Sequence, residues 1–250
     1  SGHNGGDTRG FHYVQGGYFQ KGFGKHGSLS NPYSFGYFPE MAHHSVPRFT
    51  HTFVIYEGTA LPANYRGKLL GVEPLQGRVV MSDVQRDRSS FKTKDLGHIL
   101  TTSDTWFRPV DIKTGPDDNV YVADLYEQRI DHASHYQGRV DKGTGRIYRI
   151  QAKGARPAAL KPVAVSDAAS LQSELQSENR WRRQTAQRQL GDLHARKKSA
   201  GVASQLVELL PKQTGQQALE TLWALHAVDG LSEAVALQSL EHADPFVRLW

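Results

Sequence analysis

Between residues 52 and 150, hydrophobic and polar positions follow one another in short runs that predict β-strands. The first run, at 52–56, is β-branched and aromatic, and it ends at Glu57-Gly58. Further strands are predicted at 67–72, 77–82, within 97–102, and at 110–113, 119–123 and 145–150. Two units of roughly 45–50 residues with about four short strands each are typical of β-propeller blades. A complete ring needs at least about four blades, so we expect the others upstream of this chain.

Beyond residue 166 the period of the hydrophobic positions changes to that of a helix. Apolar residues recur three and four positions apart, and Gly201, Pro211, Gly230 and Pro245 interrupt them. The stripes are Leu171 and Leu175; Ala186, Leu190 and Leu193; Val202, Leu206 and Leu210; and Ala218, Leu222 and Leu225. Stacked helical hairpins of this kind predict a HEAT- or armadillo-like α-solenoid. The predicted domains are therefore propeller blades at 1–152, a proline-containing linker at 153–165 and a truncated solenoid at 166–250.

The two ends of the chain suggest a piece of a longer protein. The chain starts at Ser1 without a methionine, and it stops at Trp250 in the first turns of a new helix. We therefore expect the chain to continue in both directions.

Composition excludes several kinds of site within the chain. It has no cysteine, which rules out disulfides, thiolate metal sites, a cysteine nucleophile and covalently attached c-type haem. The net charge of +5 is spread along the sequence, so it does not favour a nucleic-acid partner. No apolar run approaches the roughly 18 residues of a membrane-spanning helix, so no transmembrane segment is expected.

Two clusters of polar residues are candidates for chemistry. His43-His44, Arg48 and His51 precede the first strand, where imidazoles can act as acids, bases or metal ligands, or simply cap loops. The second cluster lies between the strands at 119–123 and 145–150, and it comprises Asp124, Tyr126, Arg129, Asp131, His132, His135, Arg139 and Asp141.

The second cluster allows three interpretations. An Asp with a His forms a proton-accepting pair, and arginine offers a planar fork to carboxylates, quinones or sugar hydroxyls. Three of its aspartates could instead hold Ca²⁺, although their spacing is not that of an EF-hand. The third interpretation is a salt-bridged loop that closes the ring.

The segment 106–124, WFRPVDIKTGPDDNVYVAD, resembles a blade of the glucose/sorbosone dehydrogenase-like propellers, whose pattern is FRPVD-x-x-x-GPDG-x-LYV-x-D. Segments 53–58 and 61–69 resemble the preceding blade. Asp118 stands where that family has glycine, and Asn119 is expected to carry the turn. The polar excursion at 124–150 is similar to that of the membrane-bound dehydrogenases of Planctomycetes and Verrucomicrobia.

In those proteins the propeller is followed by HEAT repeats, which 179–188 and 244–248 resemble, and often by a haem-binding cytochrome c domain. The resemblance implies a six-bladed propeller in an extracytoplasmic, periplasmic or membrane-associated protein. It implies that a sugar or polyol is oxidised by hydride transfer to pyrroloquinoline quinone bound with Ca²⁺. Electrons would then pass to haem c in a domain outside this chain, and the HEAT segment would dock a cytochrome or another protein.

We assign site residues on this basis. Arg108 occupies the place of an arginine that contacts the quinone, and Arg48 and His51 are expected to help bind the cofactor. Asp131 and His132 are the predicted catalytic pair, and the substrate is expected at Tyr126 and Arg129.

One departure from the family favours a different class of function. The lysine that contacts the quinone in those enzymes has no counterpart in 73–77, which reads EPLQG. The competing hypothesis is a non-catalytic module that binds a glycan or a protein partner.

Overall fold

The computed structural model describes residues 8–14, 17–19, 37–38, 40–43, 46, 50–129, 133, 136–138, 141–155 and 167–250. The chain divides into two compact units, Ser1–Arg156 and Pro157–Trp250. Each unit has a hydrophobic core of its own.

The strands of the first unit form two antiparallel sheets and one short parallel pair. The parallel pair is β1 (Tyr18–Phe19) with β2 (Tyr37–Phe38). The four-stranded sheet has the order β3 (Phe53–Ile55), β4 (Leu69–Glu73), β5 (Arg78–Asp87) and β6 (Ser90–Leu100). A 3₁₀ turn at Ala63–Tyr65 connects β3 to β4. The three-stranded sheet has the order β7 (Pro109–Thr114), β8 (Val120–Asp124) and β9 (Arg146–Ile150).

The core of the first unit lies where the two antiparallel sheets meet. Every residue of β4 is buried, because β4 lies between β3 and β5 and also contacts β7 of the other sheet. The packing at β4 requires a glycine: a Cβ on Gly71 would lie 2.6 Å from Cγ2 of Thr50. The buried cluster consists of Tyr56, Leu61, Leu70, Val72, Val79, Phe107, Ile112, Val120 and Val122.

Tyr56 ties the two sheets together through the turn between β7 and β8. Its buried hydroxyl donates to the carbonyl of Asp118 at 2.9 Å and accepts from the N–H of Leu61 at 2.8 Å. Asp118 itself adopts the left-handed conformation, with φ +60°, so this residue rather than Asn119 carries the turn. The Asp118 carboxylate accepts from the N–H and the hydroxyl of Thr59, which compensates for the unfavourable backbone.

The second unit is built from helices. They are α1 (Ala168–Glu174), α2 (Arg180–Ala195), α3 (Val202–Leu209), α4 (Gly215–Ala227), α5 (Glu233–Leu240) and α6 (Pro245–Leu249), with a 3₁₀ turn at Leu210–Lys212 after α3. Side chains of Asp167, Asn179, Ser232 and Asp244 cap four of the helix N-termini. No helix in the described part of the chain is both long enough and apolar enough to cross a bilayer.

The predicted apolar stripes form the core of this unit. All eleven residues of the four stripes are buried in one cluster. A buried ion pair between Arg183 of α2 and Glu220 of α4, at 2.8 Å, joins the two longest helices.

The predicted fold class is wrong in both halves. In place of propeller blades, the described residues form two small open sheets of four and three strands. In place of a HEAT solenoid there are six helices of 5–16 residues, too few and too short to form one. Strand and helix periods are local properties, whereas ring closure and repeat stacking depend on contacts that a pattern of a few elements does not determine.

Candidate functional site

The end of β8 is fixed by the carboxylate of Asp124. One of its oxygens, Oδ1, accepts hydrogen bonds from the backbone N–H groups of Arg108 and Tyr126, both at 2.8 Å. Its other oxygen is buried and has no hydrogen-bond partner among the described residues. Tyr126 has φ +54°, a conformation that is costly for an aromatic residue. The Asp124 carboxylate therefore holds Tyr126 in a strained position at the start of the excursion, as side chains at binding sites often are.

Tyr126 is the centre of an aromatic and cationic surface. The guanidinium carbon of Arg146 lies 3.8 Å from the centroid of the Tyr126 ring, and the Trp106 ring is 5.7 Å from it. Arg146 is exposed, and Trp106 and Tyr126 are half-buried. We call Trp106, Tyr126 and Arg146 the platform. It presents ring surface and guanidinium N–H donors together.

A cavity of about 220 Å³ lies at the turn before β7. Its walls are aromatic and aliphatic on one side and polar on the other. The polar groups are the two threonine hydroxyls of Thr101 and Thr102 and the exposed carboxylate of Asp104, and the apolar walls are Leu100, Phe107 and Tyr148. Acceptors and donors that surround a small apolar-walled cavity are typical of sites for small polar ligands.

The cavity and the platform belong to the same surface. Arg146 and Tyr148 are two residues apart on β9, so their side chains lie on the same face of the sheet. The Tyr148 ring packs edge-on against Phe107 at 5.7 Å. Asp104 lines the cavity, and its Oδ1 accepts from the backbone N–H of Trp106 at 2.9 Å. One turn of chain and one strand therefore carry both halves of the site.

Arg108, the predicted cofactor contact, lies beside this surface but is already engaged. Its Nη1 donates to the carbonyl of Phe107 and its Nη2 to that of Gln128. Its own carbonyl accepts from the N–H of Leu125 at 3.0 Å. In this arrangement Arg108 fixes the start of the excursion to the strand before it.

The other predicted residues are placed as follows. Nδ1 of His51 is 2.7 Å from the carbonyl of Val110, two residues from Arg108. Arg129 is exposed and follows Gln128, whose carbonyl binds Arg108. Arg48, Asp131 and His132 lie outside the described residues. The structure therefore brings Arg108, Tyr126, Arg129 and His51 to one end of β7 and β8.

The described residues do not provide the donor set that a quinone and Ca²⁺ would need. The terminal nitrogens of Arg108 bind backbone carbonyls, and Nδ1 of His51 bonds a carbonyl as well. Within the described part of the chain, no group of three or more acidic or histidine side chains could hold a metal ion. A quinone carboxylate at Arg108 would have to displace at least one bond that holds the excursion.

A second polar cluster, which the sequence did not reveal, is structural. Arg9 is fully buried and forms ion pairs with Glu73 and Asp95, and its Nη1 donates to Thr50 at 2.9 Å. The sequence places the three charged residues on segments far apart, so no local pattern signals the cluster. Because neither Arg9 nor Glu73 is exposed to solvent, this cluster stabilises the fold and is not a ligand site.

Asp95 shows how balanced this cluster is. Burial raises the pKa of its carboxyl, but hydrogen bonds from Arg9 and Ser82 outweigh that effect, so the pKa lies below its ordinary value. The side chain of His43 lies 3.7 Å from the same carboxylate and adds to the stabilisation of its charged form.

Comparison with known families matches only the first unit. Residues 31–154 match the model of a domain of unknown function, DUF7133, which is just under half of the chain. The match includes β2 to β9 and therefore the whole platform and cavity. No curated protein and no solved structure matches the chain. The description of the matched family names no activity, so the dehydrogenase family stays a prediction.

Sequence reasoning named Tyr126 but missed the residues that complete the surface. Trp106 and Arg146 were treated as parts of strand motifs, and Asp104 was not considered. A usable signal was present: Arg146 and Tyr148 alternate on one predicted strand, which places them on one face. Their contact with Trp106, Phe107 and Tyr126 depends on the pairing of β8 with β9, which the sequence does not give directly.

Proposed function

We propose that the first unit is a carbohydrate-binding domain that takes a sugar or polyol at the platform and the adjoining cavity. The observation that carries the proposal is the continuity of the two. Aromatic rings, an exposed guanidinium, two hydroxyls and a carboxylate meet on one surface of the β7–β9 sheet.

Each group has a part to play in holding a polyhydroxylated ligand. The apolar C–H face of a sugar ring packs on an aromatic ring, as Trp106 and Tyr126 allow. The planar fork of Arg146 can donate to two neighbouring hydroxyls at once. Asp104 accepts from hydroxyls, and the threonine hydroxyls beside it both donate and accept. This combination fits a neutral, hydroxyl-rich ligand better than an anion, because Asp104 would repel the latter.

The test is a binding titration on the full 250-residue chain with a panel of glucose, galactose, mannose, xylose, sorbitol and their common disaccharides. Isothermal titration with the best ligand is then repeated on Tyr126→Asn and Arg146→Gln. Asparagine tolerates the left-handed backbone at position 126, so the first variant removes the ring without straining the chain. Each variant should weaken binding at least about fivefold, because the loss of an anchoring side chain typically costs more than about 1 kcal/mol.

The matched control is Arg149→Gln. Arg149 is on β9 like Arg146, but three residues further, so it lies on the opposite face of the sheet beside Asp117. It should bind sugars like the parent chain. Equal weakening by Arg149→Gln and Arg146→Gln, or no binding of any member of the panel, would contradict the proposal.

Oxidation of the bound sugar is a second candidate, and the family resemblance supports it. The observation that favours it is the common attachment of Arg108 and Tyr126 to Asp124, which places a predicted cofactor residue next to a predicted substrate residue. The predicted catalytic residues, Asp131 and His132, lie outside the described residues. Extracytoplasmic location and electron transfer to a cytochrome domain belong to the same proposal.

A dye-reduction assay separates the oxidising from the purely binding function. The chain is supplied with pyrroloquinoline quinone, Ca²⁺ and the sugar that binds best. Sugar-dependent reduction that disappears in His132→Ala, with sugar affinity unchanged, supports the dehydrogenase. Binding without reduction leaves the carbohydrate-binding domain as the function of this chain.

A further inference from the structure

The second unit contains a cavity of about 640 Å³ between α4, α5 and α6. This volume is within the range of small-molecule sites. Its walls are mostly leucine, alanine, valine and tryptophan side chains. The cavity lies wholly within the helical unit, and it plays no part in the proposed carbohydrate site.

Two tryptophan rings form a corner of this cavity. The rings of Trp223 and Trp250 are 5.3 Å apart between centroids and almost perpendicular, at 80°. Both residues line the cavity, and Trp250 is 73% exposed. The indole N–H of Trp223 is buried without a hydrogen-bond partner, so this residue presents ring surface rather than its donor to the cavity.

The charge of the lining selects the sign of the ligand. Among the described residues that line the cavity there is one carboxylate, that of Glu233, and no lysine or arginine. Glu233 is exposed at the start of α5 and forms no ion pair with the described residues. The hydroxyl of Ser239, a second polar lining group, already donates to the carbonyl of Val235 at 2.7 Å. The site therefore offers negative charge and ring faces, and little to an anion.

We propose that this cavity binds an organic cation with an apolar body, such as an alkylammonium. Perpendicular tryptophan faces attract a cation that is weakly hydrated, because the negative face of each ring is directed at it. The carboxylate of Glu233 adds a second attraction at the cavity mouth. The leucines of α5 accommodate the hydrocarbon part of the ligand.

Three probes with the same hexyl chain and different charges test the proposal. They are hexyltrimethylammonium, 1-hexanol and hexanoate, titrated into the full chain with tryptophan fluorescence and isothermal titration as readouts. The cation should bind at least about tenfold more tightly than the alcohol, and hexanoate should bind most weakly. A cation that binds no better than 1-hexanol overturns the proposal and leaves an unselective apolar groove.

Variants locate the binding. Trp250→Leu and Glu233→Gln should each weaken the cation at least about threefold without changing the affinity for 1-hexanol in the case of Glu233→Gln. The controls are Trp181→Leu and Glu241→Gln, which change the same residue types in the same unit away from the cavity. Circular dichroism melting of each variant checks that the unit folds. Equal effects of a variant and its control overturn the proposal.

Two further controls keep the interpretation unique. The titration is repeated on a chain extended by Gly-Ser-Gly after Trp250, which moves the terminal carboxylate away from the rings. Loss of cation selectivity in the extended chain overturns the proposal. Sedimentation of the free chain at the titration concentrations tests for a dimer; self-association that Leu237→Glu abolishes, with no selective cation binding, assigns the surface to a second copy instead.

Discussion

Arg9 places a guanidinium where solvent does not reach it. It is held by Glu73, which is also fully buried, and by the more accessible Asp95. Arg78 binds the second oxygen of Glu73 at 2.5 Å. A buried ion pair is costly to break from one side, because the remaining charge is left without compensation.

Replacing Arg9 by methionine should therefore lower the free energy of unfolding of the first unit by about 3 kcal/mol. Arg78 would still neutralise part of the charge on Glu73, which keeps the loss at the low end. Urea denaturation followed by hydrogen exchange at the amides of β4 measures it. Arg86→Met, at an exposed position on β5, should change the same quantity by less than about 0.5 kcal/mol; a comparable loss in both variants would show that the cluster contributes nothing special.

The lowered pKa of Asp95 predicts an acid-sensitive first unit. A carboxyl whose pKa is lower in the folded state stabilises the fold above its ordinary value of about 4. That contribution is lost as the pH falls from there through the folded-state pKa. Stability measured from pH 7 to pH 3 should decline at the acidic end, and Asp95→Asn should flatten the decline. A decline that is equally steep in Asp95→Asn but flattened in Asp87→Asn, a change at the hairpin tip, would assign the effect to other carboxylates.

At the residue scale, the sequence predicted the site only in part. Tyr126 and Arg108 were found because they occupy positions in a family-like motif. Arg9 was not, because its partners lie 64 and 86 residues away along the chain. Long-range charge pairs leave no periodic signal, whereas apolar stripes do.

At the scale of elements, the excursion between β8 and β9 depends on Asp124. Its carboxylate is the common acceptor for two backbone N–H groups, and Arg146 lies opposite it in the register of β8 and β9. Hydrogen bonds to a charged acceptor contribute more than neutral ones.

Asp124→Ala should remove both bonds and destabilise the junction by about 2 kcal/mol. Tyr126 would then leave its strained conformation, and sugar affinity should fall together with the protection of the Arg108 and Tyr126 amides from hydrogen exchange. NMR-detected exchange measures that protection residue by residue. Asp141→Ala, which removes a bond to the N–H of Gly143 within the same excursion, is the control and should leave both amides protected.

Most elements of the structure were predictable from the sequence. The predicted strands at 67–72 and 119–123 correspond to β4 and β8, since buried β-branched and aliphatic runs bounded by turn residues have few alternatives. The hairpin of β5 and β6 was predicted too short. Its polar outer half, up to Asp87 and from Ser90, continues by backbone pairing without an apolar pattern to reveal it.

At the scale of the whole molecule, the sequence was misleading about architecture. Two sets of strands in the expected order suggested propeller blades, but the described residues form two open sheets that share one core. Four helical stripes suggested a solenoid, but they close on a single cluster of short helices. The pattern of buried positions was correct in each half; the number of units needed to build a ring or a superhelix was inferred from resemblance alone.

The most direct test of the account uses the four indole N–H signals of the chain, from Trp106, Trp181, Trp223 and Trp250. Trp106 is the tryptophan of the first unit, and it belongs to the platform. Titration of the labelled chain with the best sugar of the panel should move the Trp106 signal and leave the other three in place. In Tyr126→Asn the same shift should require at least about fivefold more sugar. If no sugar moves the Trp106 signal, or if the tryptophans of the second unit respond instead, the first unit is not the carbohydrate-binding domain that this surface predicts.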